Sequence, residues 1–225
     1  VCYMLAIIQA RVNSKRLPGK VLKKINKFTV LEQVINQVNE VFEKKNIIVA
    51  TSKNKKDLAI CNICKQIGVK YFRGDLQNVS KRYYNLLNVE KSVSFLRVCA
   101  DSPFLDPILI KRCISVFKKK KPNFLTNVLP RSFPKGQSIE IFNSNFFKKE
   151  FKNIKKRYDL EHVTTYFYFN KKKYNFNNIK NNNNLSKINM CIDHPKDLKL
   201  SKKIFDKLNN KNTINNCKNY IKFFL

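Results

Sequence analysis

The chain has 225 residues, 43% of them hydrophobic, which is enough for one substantial core and a single domain over 1–225. Its formal charge is +31, from 46 basic and 15 acidic side chains. No apolar run approaches the ~18 residues of a membrane span, and Val1–Ile8 lacks the basic leader and length of a secretory signal. The expectation is a cytoplasmic protein with no membrane partner.

Strand-like and helical patterns alternate along the chain. Leu5–Gln9 reads as a buried strand that opens into a basic loop, Ala10–Lys20. In that loop Arg11, Lys15, Arg16 and Lys20 put four cations within ten residues, and Gly19 allows close approach of backbone N–H groups. Such a loop suits a polyphosphate, although the glycine spacing of the Walker loop and of the dinucleotide fingerprint is absent. A helix over Val30–Phe42, a strand over Asn46–Thr51 and a helix over Lys55–Ile67 follow, the last stopped by Gly68. Val69–Phe72 reads as a strand, Asn78–Val89 as a helix and Val93–Cys99 as a strand that runs into Asp101. Asp106 and Pro107 open a helix to Phe117, and Asn123–Val128 is a further strand. This order predicts an α/β fold with a mostly parallel sheet covered by helices on both faces.

Beyond that point the pattern is less regular. Ser138–Phe142 reads as a strand, Ser144–Phe151 and Tyr158–Phe169 as helices, and Tyr174 and Phe176 alternate as in an edge strand. Ile188–Ile192 reads as a strand leading into Asp193, with helices over Pro195–Leu208 and Ile214–Phe224.

Lysine and asparagine are spread throughout, as at Lys118–Lys121, Lys171–Lys173 and Asn181–Asn184, while only four glycines occur. That distribution reads as compositional bias rather than as a dedicated polyanion face, so no nucleic-acid partner is expected. Seven cysteines in mostly apolar contexts read as reduced thiols. Cys61 and Cys64 lie one turn apart in a helical pattern with no second ligand pair, which suits burial better than metal binding.

In open α/β sheets ligands sit outside the carboxyl ends of the strands. Three loops lie at such ends: Ala10–Lys20, Ala100–Pro103 and Asp193–Asp197. Asp101 and Asp193 each follow a buried run, and two carboxylates beside a triphosphate loop suit Mg²⁺. For Asp106 helix capping is favoured; for Asp193 capping and metal binding stand side by side; for Asp101 the metal reading leads.

These pieces resemble the cytidylyltransferases that activate sugars and sugar acids with CTP, in particular the spore-coat polysaccharide biosynthesis protein F type. That type is related to the synthetases for CMP-3-deoxy-octulosonate and CMP-sialic acid. The resemblance rests on Ile7–Lys20 (IIQARVNSKRLPGK), Val49–Ser52 (VATS), Phe72–Asp75 (FRGD) with Arg82–Tyr84 (RYY), and Arg97–Pro103 (RVCADSP). It continues through Phe133–Gly136 (FPKG) with Ile139–Phe142 (IEIF), Glu161–Thr164 (EHVT) and Ile192–Leu198 (IDHPKDL), within about residues 4–200.

The resemblance implies a nucleotide-diphosphosugar transferase-like fold with a small dimerisation flap at about 130–170, and a homodimer. It implies transfer of CMP from CTP to a sugar or sugar acid, with release of pyrophosphate, for polysaccharide or surface-glycan synthesis. Carried over by position, Arg11 and Lys20 hold the triphosphate, with Ala10, Ser14 and Arg16 nearby, and Asp101 and Asp193 hold Mg²⁺. Thr51, Ser52, Arg73 and Asp75 fall on the cytidine side, although for Asp75 turn hydrogen bonding competes. Arg131, Lys135, Gln137, Glu140, Glu161 and His162 fall towards the acceptor. For Glu161, taken to begin a helix, the helix dipole competes, and for His162 a structural role competes. His194 reads as a turn residue. One departure is Ser138, where the family commonly carries Asp, and it bears on acceptor chemistry. The rival readings are a glycosyltransferase on a related fold, for which the usual Asp-x-Asp pair is absent, and a basic RNA-binding protein.

Overall fold

The computed structural model describes residues 3–209 and 217–224. Seven strands form one sheet in the order β5 (Lys70–Gly74), β4 (Ile47–Ser52), β1 (Met4–Gln9), β6 (Ser94–Cys99), β8 (Glu140–Asn143), β7 (Phe124–Thr126) and β9 (Phe176–Asn178). β8 runs antiparallel to β6 and β7, and all other neighbours are parallel. The predicted mostly parallel sheet is therefore present. A two-stranded hairpin, β2 (Lys24–Ile25) and β3 (Phe28–Thr29), follows the basic loop. It turns at Asn26, whose φ of 58° lies in the left-handed region that Asn tolerates.

Nine helices are described: α1 (Val30–Asn39), α2 (Leu58–Ile67), α3 (Val79–Glu90), α4 (Pro107–Lys120), α5 (Ser144–Phe151), α6 (Arg157–His162), α7 (Thr165–Phe169), α8 (Pro195–Asn209) and α9 (Cys217–Ile221). Their starts are written in the sequence. Thr29 and Glu32 form a reciprocal capping box on α1, Asn78 caps α3, Asp106 caps α4 ahead of Pro107, and Asn143 caps α5. None of the described helices is long and apolar enough to cross a membrane.

The central strands are buried on both faces, as their near-continuous apolar runs require. Ala6 and Ile8 point to a core shared with α1, α2 and α4. Leu5 and Ile7 point the other way, into an aromatic core of Tyr83, Phe95, Phe142, Phe147 and Phe167 under α3, α5 and α7. A third cluster joins Leu17, Ile25 and Val30 to Phe104, Met190, Ile192, Phe205, Leu208 and Tyr220 at the sheet's carboxyl edge.

Two elements depart from the sequence pattern. The helix expected over Tyr158–Phe169 is two short helices, because the chain reverses at Val163, whose φ of 59° is incompatible with a continuous right-handed helix. The strand expected over Ile188–Ile192 makes only one bridge, Asn189 to Lys135, and otherwise packs its side chains into the third core. Cys61, Cys64 and Cys113 are buried free thiols, and burial pushes the Cys64 thiol up to about 12. Cys2, the side chain of Cys217 and residues 214–216 of the last expected helix lie outside the described residues.

Candidate active site

The basic loop leaves β1 at the centre of the sheet's carboxyl edge. It is held by its own backbone: the Gly19 N–H donates to the Val12 carbonyl at 3.0 Å, and Lys20 N–H to Leu17 at 3.2 Å. Gly19 has a φ of 69°, which closes the loop and turns Lys20 inward. Ser14 Oγ accepts from Leu17 N–H at 3.4 Å and shapes the turn. The far side is tied down by Asp57, a buried carboxylate that accepts from Val12 N–H at 2.8 Å, from Ser52 N–H at 3.2 Å and from the Ser52 hydroxyl. Asp57 was not singled out by the sequence. The helical pattern over Lys55–Ile67 gives it no special place, yet it joins the loop to the end of β4.

Lys20 is 9% exposed, and its ammonium sits between two carboxylates: Nζ is 2.6 Å from Asp101 Oδ2 and 3.0 Å from Asp193 Oδ1. Arg16 also reaches Asp193 Oδ1, at 2.8 Å. Burial alone would lower the Lys20 pKa, but the two carboxylates outweigh it and hold the ammonium above its ordinary value.

The convergence of residues 92 positions apart in sequence has a packing cause. Ile192 N–H donates to the Asp101 carbonyl at 2.9 Å, and Phe104, Met190 and Ile192 share one core. Gly136 lets the 133–139 loop cross that segment: a Cβ there would lie 2.9 Å from the Met190 carbonyl carbon. Capping of α8 falls to another residue. Asp197 accepts from Asp193 N–H at 2.9 Å and from His194 N–H at 2.7 Å, which leaves the Asp193 carboxylate for the cations. His194 is exposed in the turn before α8.

Arg11 points from the loop to α6, where its guanidinium meets Glu161 Oε1 at 3.0 Å. That hydrogen bond holds the Glu161 carboxyl below the usual range. Glu161 lies in the last turn of α6 rather than at its start, so the helix dipole does not account for it. His162 is exposed and its ring rests on Tyr158 at 4.2 Å between centroids.

Other expected site residues are engaged by the protein itself. Arg73 donates to the carbonyls of Ser52, Lys53 and Asn54, closing the end of β4. Asp75 accepts from Gln77 and Asn78 N–H groups in a turn, the competing reading for that residue. The Ser52 hydroxyl is spent on Asp57, whereas Thr51 is buried and its Oγ1 has no partner among the described residues. Ala10 is buried, and its N–H pairs with Ala50.

Gln137, expected to face the acceptor, is fully buried. Its amide accepts from Asp106 N–H at 2.9 Å and donates to the Phe104 carbonyl at 2.5 Å, clamping the start of α4. Glu140 is likewise buried, and its two oxygens are taken by Arg97 and the Tyr168 hydroxyl. Arg131 is half-buried; it donates to Ser138 Oγ at 3.0 Å and to the Pro134 carbonyl at 3.4 Å. Lys135 is exposed. Gln137 and Glu140 are thus internal supports, because the loop that carries them folds inward beneath α4 and into β8.

Arg82 is a buried residue the sequence located only within a matched pattern. Among the described residues its guanidinium pairs with no carboxylate, and it donates to the Asp75 carbonyl at 2.6 and 3.0 Å and to those of Ala50 and Leu76 at 3.4 Å. Burial holds its pKa down. Gly74 makes room for it, since a Cβ there would lie 2.5 Å from Arg82 Cγ.

The chain matches a family model described as cytidylyltransferase over residues 5–219. The chain belongs to the cytidylyltransferase family. It is a CTP-dependent nucleotidyltransferase of the α/β class. The uncharacterized protein MJ1063 of Methanocaldococcus jannaschii is 32% identical over 211 residues, 92% of this chain and 86% of that protein. The spore coat polysaccharide biosynthesis protein SpsF of Bacillus subtilis is 31% identical over 169 residues, 72% of this chain and 69% of that protein. A solved cytidylyltransferase from Leptospira borgpetersenii superimposes with a TM-score of 0.88 at 27% identity, covering 92% of this chain and 88% of that one. A 3-deoxy-manno-octulosonate cytidylyltransferase from Legionella pneumophila is 30% identical, and the chain spans 53% of its length.

Proposed function

We propose that this cytidylyltransferase is Mg²⁺-dependent and transfers CMP from CTP to a sugar acid, as a homodimer, in the synthesis of a polysaccharide or surface glycan. The observation that carries the metal reading is the common cation position at which Asp101 and Asp193 converge. Two carboxylates that meet at one point suit Mg²⁺, with phosphate oxygens and water completing its shell, and Lys20, whose ammonium holds that point in the free protein, would stand beside the ion as a fixed positive charge. When bound there, the ion supplies charge neutralisation at the α-phosphate. The other cations are the chain's own. Lys20 and Arg16 face the triphosphate from the loop, and Arg11 exchanges Glu161 for a phosphate oxygen. An acceptor hydroxyl oxygen forms the new bond to the α-phosphorus, the bond to the bridging oxygen of the β-phosphate breaks, pyrophosphate leaves, and the hydroxyl proton passes to solvent. Such a transfer needs placement and charge more than covalent help.

The names of the SpsF and 3-deoxy-manno-octulosonate relatives favour a sugar acid and glycan synthesis. For the homodimer, the support is that Tyr158 and Phe169, within the expected flap range, are 59% and 82% exposed. The scatter of lysines over the whole chain favours a protein without a nucleic-acid partner.

The test is pyrophosphate release from CTP against ATP, GTP and UTP, with Mg²⁺ and a panel that includes 3-deoxy-manno-octulosonate and N-acetylneuraminate. CTP alone is expected to turn over, and Asp101→Asn to abolish turnover with the fold intact. Equal use of all four nucleotides, or full activity of Asp101→Asn, would overturn the reading.

A further inference from the structure

Side chains alternate along a strand, so one face of the sheet's carboxyl edge can be read off the register. Gln9 follows Leu5 and Ile7 on the face under α3. In β6 the same face carries Phe95, Arg97 and Cys99; in β8, Glu140 and Phe142; in β7, Phe124 and Thr126. The polar members of this face form one connected chain. Arg97 donates to Gln9 Oε1 at 3.0 Å and to Glu140 Oε2; the Tyr168 hydroxyl donates to Glu140 Oε1 and lies 3.1 Å from Thr126 Oγ1. Glu140 is 4% exposed and Thr126 0%, whereas Gln9 is half-buried at the open end.

A guanidinium can only donate. Arg97 therefore fixes which end of the Gln9 amide faces it: the carbonyl oxygen must turn towards Arg97, and the NH₂ must turn away. Among the described residues that NH₂ has no hydrogen-bond partner. It belongs to Gln9, the last residue of β1, two positions before Arg11. Gln9 N–H and carbonyl lie in the ladder that leads β6 into Asp101, with Ala100 N–H 3.0 Å from the Gln9 carbonyl.

We propose that Gln9 is an acceptor-binding residue, donating its Nε2–H to an oxygen of the sugar acid, and that Arg97 and Glu140 are positioning residues that lock the amide in that sense. This rests on the reading of the chain as a CMP transferase to a sugar acid, and assigns Glu140 a role through Gln9 rather than contact with the acceptor.

The lock is present before any ligand binds, so the first readout needs none. In the free protein the ¹⁵N-edited NMR signals of the Gln9 side-chain amide, assigned by their loss in Gln9→Ala, are expected to be a resolved pair. In Glu140→Gln they broaden or shift while the backbone amides of β1 keep their positions. A Gln9 pair that Glu140→Gln leaves untouched overturns the inference, whatever the enzyme's activity. The second readout uses 3-deoxy-manno-octulosonate or whichever acid the wild type turns over. Gln9→Ala is expected to raise the acceptor KM about tenfold or more, with the Kd for CTP by calorimetry changed less than about twofold. Gln9→Glu, which keeps an oxygen but has no NH₂, should fail to rescue, and Glu140→Gln should move the acceptor KM in the same direction. Unchanged acceptor KM in Gln9→Ala, or a loss confined to CTP binding, overturns the assignment. Absence of CTP-dependent turnover in the wild type with the NMR lock intact would instead remove the sugar-acid reading and, with it, the acceptor role of Gln9.

Discussion

Three cationic side chains of the loop, Arg11, Arg16 and Lys20, are held by carboxylates that a triphosphate must work with or displace, and the Lys20 and Arg11 cases differ. Lys20 is buried between Asp101 and Asp193, with its pKa raised by them against the opposing effect of burial. A raised pKa on a cation means its stabilisation is fully present below the ordinary lysine value and is lost only as pH rises through the higher folded-state value. Lys20→Met should therefore lower the melting temperature equally at about pH 6.5 and about pH 9, below the ordinary lysine pKa of about 10.4. It should also cost about 10²- to 10³-fold in kcat, the scale for removing one fixed charge aimed at the transition state. Arg11 and Glu161 are each more than a third exposed, so their pair is screened. Glu161→Gln frees Arg11 from a competitor at little cost, and CTP should bind tighter by about 1.4- to 5-fold in titration calorimetry, the equivalent of a surface pair. Weaker CTP binding in that variant would mean that Glu161 presents Arg11 rather than restraining it.

At the scale of elements, what the sequence discloses depends on whether a feature is local. The cap at Asp106 and the buried runs of β1 and β4 are set by neighbours within a few residues and were legible; the caps at Thr29, Asn78 and Asn143 are equally local but were not read from the sequence. The pairing of Asp101 with Asp193 was legible only as two similar strand ends; its cause, the shared packing of Phe104, Met190 and Ile192, is a long-range fact. The inward fold of Gln137 and Glu140 was not legible at all, because a polar residue near a Lys-Gly turn reads as exposed. The clamp by Gln137 has a consequence that separates the two roles. Gln137→Ala leaves the buried Asp106 N–H and the Phe104 carbonyl without this side chain's hydrogen bonds. That should cost about 2–6 kcal/mol in denaturant unfolding, at about 1–3 kcal/mol for each of the two groups left short. The Kd for CTP should stay within about twofold of wild type, given that the amide touches no open surface. A stable Gln137→Ala protein with a raised acceptor KM would restore the side chain to the acceptor site.

For the whole molecule, the dominant electrostatic fact is not the site but the surplus of 31 positive charges over 225 residues. Only a few acids are available to offset them, and several are committed inside: Asp57 to the loop, Glu140 to Arg97, Asp101 and Asp193 to Lys20. The remaining lysines repel one another across the surface, and self-repulsion of this kind destabilises the compact state. Its range is set by the Debye length, about 30 Å at 0.01 M salt and about 8 Å at 0.15 M. Raising sodium chloride across that interval should therefore raise the melting temperature. The buried Arg97–Glu140 pair is shielded from the added ions and should be little changed. Ordinary chloride and the more strongly binding sulfate should act in the same direction, with sulfate stronger at equal ionic strength if it also occupies the loop between Arg11 and Lys20. A Lys20→Met, Arg16→Ala double variant would separate these effects in a scanning calorimeter. The chloride response should survive in it because it belongs to the whole surface, while the extra sulfate response should disappear because it belongs to the loop. A melting temperature that falls with chloride in the wild type would show that the surface lysines are balanced by pairing rather than by screening.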